Sequence, residues 1–212
     1  MVKSKGKSYF FFKRVFDIVS TFILITLISW LIIILIIINI FATKGAAFYA
    51  DQRIGYKNKG FRLLKFRSMY IDAETRPEKY LNEEQLKSWK KERKVKDDPR
   101  ITKFGRFLRK SSLDELPQLF NIFIGQMSVV GPRPIVEKEF QENYTEEERE
   151  LFVSAKPGLI SNWGVNGRSN VDYKDGERQR LELEYFSKRS LWYDLKLIFK
   201  AVWVVLTGKG AK

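Results

Sequence analysis

Apolar and polar positions along the chain divide it into a long greasy run and a series of short amphipathic segments. Ile18–Thr43 carries no charged residue. That is long enough for a bilayer-inserted helix. It is too long and too apolar for a secretory leader, and no small-residue cleavage site follows it. Phe48–Ile54 and Phe61–Phe66 predict two short strands joined by Gly55-Tyr-Lys-Asn-Lys-Gly60, a hairpin. Between Asp72 and Lys96 acids and bases alternate, predicting a solvated helix to about Lys94 opened by an Asn82/Gln85 capping box. Thr102 is placed to cap a short helix with Phe104, Phe107 and Leu108 on its apolar face. A second helix over Leu113–Ile124 buries Leu116, Leu119, Phe120 and Phe123 at helical spacings. Met127–Val130 is short and apolar, and the segments around Lys156–Leu159 and Trp163–Arg168 read as loops. Glu137–Glu150 predicts one acidic helix with a cap at Thr145 and Glu148, and Gly176–Phe186 predicts another charged helix.

From Ser190 onward, Trp192, Leu195, Ile198, Phe199, Val202, Trp203 and Leu206 form an apolar stripe flanked by Lys196 and Lys200. That pattern suits a helix lying in the membrane interface, and an ordinary core-packing helix is the alternative. The fold class expected is α+β, mostly helical: a basic tail over 1–12, a membrane helix over 13–43, and a small cytoplasmic domain over 44–212. Both flanks of the membrane segment are basic, with Lys3, Lys5, Lys7, Lys13 and Arg14 before it and Lys44, Arg53, Lys57, Lys59, Arg62, Lys65 and Arg67 after it. A straight spanning helix would carry one cluster across the bilayer, against the positive-inside tendency. A re-entrant helix that enters and leaves by the cytoplasmic face satisfies both ends. Ser29, whose hydroxyl can bond back one turn, is the candidate bend.

The net charge of +14 requires an anionic partner: phosphate ligands, an anionic membrane face or nucleic acid. There is no cysteine and no histidine, which excludes disulfides, thiol redox chemistry, Cys/His zinc sites and histidine acid–base catalysis.

The candidate chemistry lies in Thr102–Pro134. Asp114 and Glu115 stand side by side, preceded by Arg106, Arg109 and Lys110, and Arg133 follows between Pro132 and Pro134. Ser112 and Glu115 have capping-box spacing, which would put both carboxylates at the positive end of a helix dipole and keep them ionised. Pro117 leaves open a start nearer Leu116. A lone Ser-Leu-Asp-Glu-Leu is most often only a cap. The density of cations and fixed turns around it argues for phosphate contact, with arginine suited to bidentate binding. Lys65 and Arg67 share a strand face at spacing two. Two rivals are a membrane-tethered nucleic-acid binder and a non-catalytic scaffold of a polysaccharide assembly complex. Two acids in the middle of the basic surface argue against both.

Lys13–Asp17 (KRVFD), Gln52–Gly55 (QRIG), Lys65–Met69 (KFRSM) and Asp98–Thr102 (DPRIT) are family-like segments. Ser112–Asn121 (SLDELPQLFN), Met127–Pro134 (MSVVGPRP), Lys156–Leu159 (KPGL) and Trp163–Ser169 (WGVNGRS) continue them in order. Together they resemble the bacterial sugar transferases, the monotopic phosphoglycosyl transferases, from about Lys13 to Ala211. The resemblance implies transfer of a sugar-1-phosphate from a UDP-sugar to undecaprenyl phosphate with Mg²⁺, releasing UMP, at the cytoplasmic face of a bacterial inner or plasma membrane. It implies Asp114 as nucleophile through a phosphosugar–aspartate intermediate and Glu115 as the Mg²⁺ ligand. Lys65, Arg67, Arg109 and Arg133 would act on the phosphates, Arg168 on the nucleotide, and Asp194 would orient basic residues. Membrane lipid is the expected partner and nucleic acid is not; a homo-oligomer is compatible with all of this. The stretch from Gly167 to Tyr173 is similar to hexose-1-phosphate members. One departure is Trp30, which follows Ser29 where the family places proline, so the bend is less strongly specified.

Overall fold

The computed structural model describes residues 6–92, 95–167, 171, 173 and 175–207. Expectations on Lys3, Lys5, Lys94, Arg168, part of the Gly167–Tyr173 stretch and the Leu206 side chain therefore lie outside the described residues. In chain order the elements are α1 (Lys7–Thr43), β1 (Phe48–Ile54), β2 (Gly60–Phe66), α2 (Glu83–Glu92), α3 (Lys103–Lys110), α4 (Gln118–Ile124) and β3 (Ser128–Val130). They continue with α5 (Glu137–Asn143), α6 (Glu146–Phe152), β4 (Gly158–Ile160), α7 (Asn162–Asn166), α8 (Glu177–Lys188) and α9 (Leu191–Thr207). The class is α+β and mostly helical.

Helix α1 is long and apolar enough to cross a membrane, and its burial pattern is inverted relative to a water-soluble helix. Asp17, Thr21, Asn39 and Thr43 are at most 2 % exposed, whereas Trp30 is 63 % and Phe41 79 % exposed. Exposed apolar area on that scale is stable where hydrocarbon is the solvent. The hydroxyls of Ser20, Thr21 and Thr26 donate to the carbonyls of Phe16, Asp17 and Phe22 one turn back, so these polar groups are satisfied without water. Helical backbone continues unbroken through Ser29 and Trp30.

The described chain divides into two units, and α1 and the β1–β2 hairpin run through both. The first unit holds the described parts of Met1–Thr26, Asp51–Leu63 and Gln118–Lys212. Its centre is a parallel pair, β3 with β4, Ser128 opposite Gly158 and Val130 opposite Ile160. A Cβ on Gly131 would lie 2.3 Å from the Lys156 carbonyl oxygen, and one on Gly158 would lie 2.0 Å from the Gly131 nitrogen. Only glycine permits that approach, so MSVVGPRP and KPGL are two halves of one backbone junction rather than a separate turn and loop. Val130, Val165, Tyr185, Phe186 and Leu197 pack around it, and Ile54, Ile135, Phe140, Tyr144 and Phe152 form a second cluster. The single helix expected over Glu137–Glu150 is two, α5 and α6. The Thr145/Glu148 capping box forms, and because an N-cap residue is not itself helical, the same cap that opens α6 ends α5. The Trp163 segment, expected as loop, contains α7.

The KRVFD segment anchors the start of α1 in this unit. Arg14 donates to the carbonyls of Ile122 and Phe123, both at 2.7 Å, capping the end of α4. Asp17 accepts from Ser128 Oγ at 3.0 Å and the Val129 N–H at 2.9 Å. Lys13 pairs with Asp194 at 2.7 Å, so Asp194 does orient a basic residue. On α9, Leu197 faces inward while Trp192, Phe199, Val202 and Trp203 are exposed, the arrangement expected of an interfacial helix.

The second unit holds Leu27–Ala50 and Leu64–Pro117. Ile32, Leu35, Phe66 and Leu108 form its core, with Phe104, Leu113 and Leu116 packed against them. The Asn82/Gln85 capping box on α2 is present.

Glu182, in the first unit, is 1 % exposed. Burial pushes its pKa up to about 7, against the Arg133 N–H, the Ser161 hydroxyl and the charges of Arg133 and Arg178. A carboxyl raised in the folded state contributes stability that is full below its unfolded pKa and lost as pH rises through the folded value. Stability is therefore expected to fall from about pH 5 to about pH 8 through this group. Glu182→Gln should flatten that fall in melting curves taken across the range.

Candidate active site

The predicted carboxylates lie in the second unit. Strand β2 delivers Lys65, and the chain just beyond it is clamped against the start of α3. Thr102 N–H donates to the Ser68 carbonyl at 3.0 Å, Tyr70 N–H donates to the Arg100 carbonyl at 3.1 Å, and Met69 and Ile101 form an isolated bridge. Gly105 makes the clamp possible, because a Cβ there would lie 1.9 Å from the Ser68 carbonyl oxygen. The Thr102 side chain accepts from the Gly105 N–H, capping α3 as expected. One consequence is that Arg109, at the other end of α3, donates from Nε to Ser68 Oγ at 2.9 Å.

After α3, Ser112 adopts a left-handed conformation (φ 58°) and turns the chain into a single 3₁₀ turn, Leu113–Glu115. Leu113 and Leu116 pack against the core on α1, which fixes the acids between them. The expected capping box does not form. Ser112 makes no side-chain cap bond, and α4 begins only at Gln118, after Pro117 has ended the turn. The carboxylates are therefore not in the first turn of an α-helix, and a helix dipole is not what sets their charge.

What sets it is burial opposed by cations. Asp114 is half-buried, and burial raises its pKa above the ordinary aspartate value. The Lys65 charge pulls it down, the Glu115 charge pushes it up, and the Arg109 charge pulls it down again. Glu115 Oε1 lies 3.2 Å from Lys65 Nζ. Burial in turn lowers the Arg109 pKa, with Asp114 and Asp98 opposing the shift. Lys65, Arg109, Asp114 and Glu115 are thus one electrostatic cluster. The like-charge strain between the two carboxylates is what a divalent cation relieves, and Mg²⁺ takes only one or two protein carboxylates beside phosphate and water. Two adjacent carboxylates are the donor type such an ion takes, and Glu115 would exchange its Lys65 contact for it.

Of the other predicted residues, Arg67 directs its guanidinium to the carbonyls of Ala46 and Phe48 and stands 5.6 Å from the Tyr49 ring centre. Arg133 belongs to the first unit. Its guanidinium stacks 5.1 Å from Trp163, which Arg178 also covers at 4.3 Å, and its N–H donates to Glu182 at 3.1 Å. The sequence reading missed Ser68, and it gave Asp98–Thr102 only as a family-like segment. Asp98 and Arg100 instead form a buried bidentate pair, 2.7–3.2 Å, behind Arg109. An acid and a base at spacing two was the available signal, but spacing carries no information on burial.

Breaking a buried pair leaves one charge without a partner. Asp98→Ala is expected to destabilise the chain by about 3–5 kcal/mol, whereas removing Lys138, whose pairing with Glu142 is exposed, should change nothing measurable. Chemical denaturation of both variants checks the contrast.

The chain matches the family model for bacterial sugar transferases over residues 8–208. It is 41 % identical over 203 residues to a UDP-galactose-lipid carrier transferase of Erwinia amylovora, covering 95 % of this chain and 42 % of that protein. It is 42 % identical to an undecaprenyl-phosphate galactose phosphotransferase of Salmonella typhimurium, with the same coverage. With the exopolysaccharide production protein ExoY of Rhizobium meliloti it shares 36 % identity over 94 % of this chain and 87 % of that protein. The chain thus spans about two fifths of the length of the first two relatives and most of the third. A match of this extent, carried by a chain whose paired acids, clamping glycines and apolar helix all fall inside it, makes the chain a member of the bacterial sugar transferase family.

Proposed function

We propose that this chain transfers a hexose-1-phosphate from a UDP-sugar to undecaprenyl phosphate and releases UMP, initiating synthesis of a surface polysaccharide or glycoconjugate. The observation that carries the reading is Asp114, half-buried in a turn with Lys65 and Arg109 as opposing charges and Glu115 beside it. The names of the relatives point the same way. The electrophile is a phosphorus already ringed by negative oxygens, so neutralising charge is most of the catalytic problem.

In the first half-reaction a carboxylate oxygen of Asp114 attacks the sugar-bearing phosphorus. An oxygen–phosphorus bond forms to aspartate, the bridging bond breaks, and UMP leaves with the electron pair. In the second, a phosphate oxygen of undecaprenyl phosphate attacks the same phosphorus and regenerates the Asp114 carboxylate. Neither half needs a base, since both nucleophiles are already anionic, which suits a chain without histidine. Arg109, steadied by Ser68, binds phosphate oxygens. Lys65 keeps Asp114 ionised and holds Glu115 in place. When bound, Mg²⁺ at Glu115 supplies further neutralisation of the diphosphate. The reaction takes place at the cytoplasmic face; because α1 is helical without interruption through Ser29 and Trp30, keeping both basic flanks on that side requires a bend within a continuous helix. Cysteines placed at positions 7 and 46 should both resist an impermeant reagent applied to intact cells; labelling of one alone would reject the hairpin.

Asp114→Asn should lower UMP release on the order of 10³-fold or more with UDP-glucose or UDP-galactose and undecaprenyl phosphate. Near wild-type turnover would remove Asp114 as nucleophile. The acid limb of the kcat/KM profile should lie above the pKa of a free aspartate. Lys65→Met should move that limb to higher pH, because a lowering charge is lost, and Glu115→Gln should move it to lower pH, because a raising charge is lost. Shifts of the same sign in both variants would contradict the cluster.

A further inference from the structure

Away from the catalytic turn, the first unit contains a cavity of about 200 Å³ lined by four cations, Lys13, Arg14, Lys156 and Arg189, one carboxylate, Asp17, and otherwise mainly aromatic side chains. Arg189 is 5 % exposed, and its Nε and Nη1 have no hydrogen-bond partner among the described residues. Among the described residues its guanidinium lies over aromatic rings, 5.3 Å from the centre of Phe186 and 5.7 Å from that of Phe10. Unsatisfied donors on a buried cation cost more than almost any other defect, so their persistence at a cavity wall needs an explanation.

The other cations make the same demand. The point a Cβ on Gly125 would occupy is 3.1 Å from an Arg14 guanidinium nitrogen and 3.4 Å from Lys156 Nζ, which brings two positive groups close together. Burial and the Arg14 charge both lower the Lys156 pKa, and Asp17 alone opposes them. Two carboxylates answer the four cations: Asp194, taken up by Lys13 and by the hydroxyls of Tyr9 and Tyr185, and Asp17, taken up by Ser128 and Val129. Counting each group at full charge, four positive less two negative leaves two positive charges facing one small cavity.

We propose that this cavity is a second, non-catalytic anion site that takes a phosphate group, with Arg189 and Lys156 as its principal ligands. The cavity volume suits a phosphate, Arg189 and Lys156 line it with no ion-pair partner among the described residues, and the surplus charge matches a phosphate dianion. The phosphate has two sources, an anionic phospholipid headgroup or phosphate free in solution. Phe11, Phe12 and Trp192 are 64 %, 57 % and 78 % exposed on the same unit, the kind of aromatic border that sits at headgroup level. The site is independent of the reaction proposed above.

The test titrates inorganic phosphate calorimetrically into the full chain in phosphatidylcholine nanodiscs. An Arg109→Gln background removes a phosphate contact of the catalytic turn. Saturable binding is expected, weakened about tenfold or more by Lys156→Gln through loss of one charge-assisted contact. Lys156 is half-buried and its side chain makes no hydrogen bond among the described residues, so this variant reads the site even where Arg189→Gln fails to fold. In nanodiscs containing phosphatidylglycerol, suppressed phosphate binding together with a higher Tm that Lys156→Gln abolishes identifies the headgroup as occupant. Undiminished phosphate binding there identifies free phosphate. Absence of both phosphate binding and phosphatidylglycerol-dependent stabilisation, or an equal response in wild type and Lys156→Gln, overturns the proposal.

Discussion

A carboxylate must be kept charged where water is scarce and a second carboxylate stands beside it. Burial and Glu115 both favour the protonated form of Asp114, and Lys65 and Arg109 favour the ionised one. For the reaction proposed above, that balance would leave Asp114 an anion with less hydration to strip than a fully solvated aspartate has. It also makes the site sensitive to every cation around it. The clamp of Gly105 on Ser68, the buried Asp98–Arg100 pair and the leucines flanking the turn all position that one cluster.

Close backbone approach is the device both units use. Gly105 lets α3 touch the end of β2, and Gly131 and Gly158 let β3 and β4 meet. In each case a motif that looks like a flexible turn is a rigid junction, stiff because no side chain separates the strands of backbone. The polar residues of α1 follow a related logic. Asp17, Thr21, Asn39 and Thr43 face protein beside Ile32 and Leu35, while residues such as Phe22, Leu27, Trp30 and Phe41 face outward, so one helix offers an apolar face suited to hydrocarbon and a polar face bonded to protein.

Much of this was legible in the sequence. The hairpin strands and the caps at Thr102, Asn82 and Thr145 follow from periodicity and local hydrogen bonding and occur within a residue or two of their expected places, while the helix of the greasy run ends at Thr43 as expected but begins at Lys7, inside the expected tail. Two kinds of feature were not legible. Strands of three residues such as β3 and β4 are too short to show a period, and their pairing is set by residues 30 apart in the chain. The Ser112 turn has capping-box spacing, but Pro117 and the left-handed Ser112 make it a 3₁₀ turn. The helix-dipole reason that the spacing offered for the charge of Asp114 and Glu115 therefore does not hold. The Asp98–Arg100 pair was visible as spacing and invisible as burial.

The most direct test of the central claim is intact-mass and peptide-level mass spectrometry after incubation with UDP-hexose alone, without undecaprenyl phosphate. The account predicts a gain of one hexose-phosphate on the peptide carrying Asp114, matched by one UMP released per chain. UMP release that requires undecaprenyl phosphate, with no mass gain on that peptide, would contradict it.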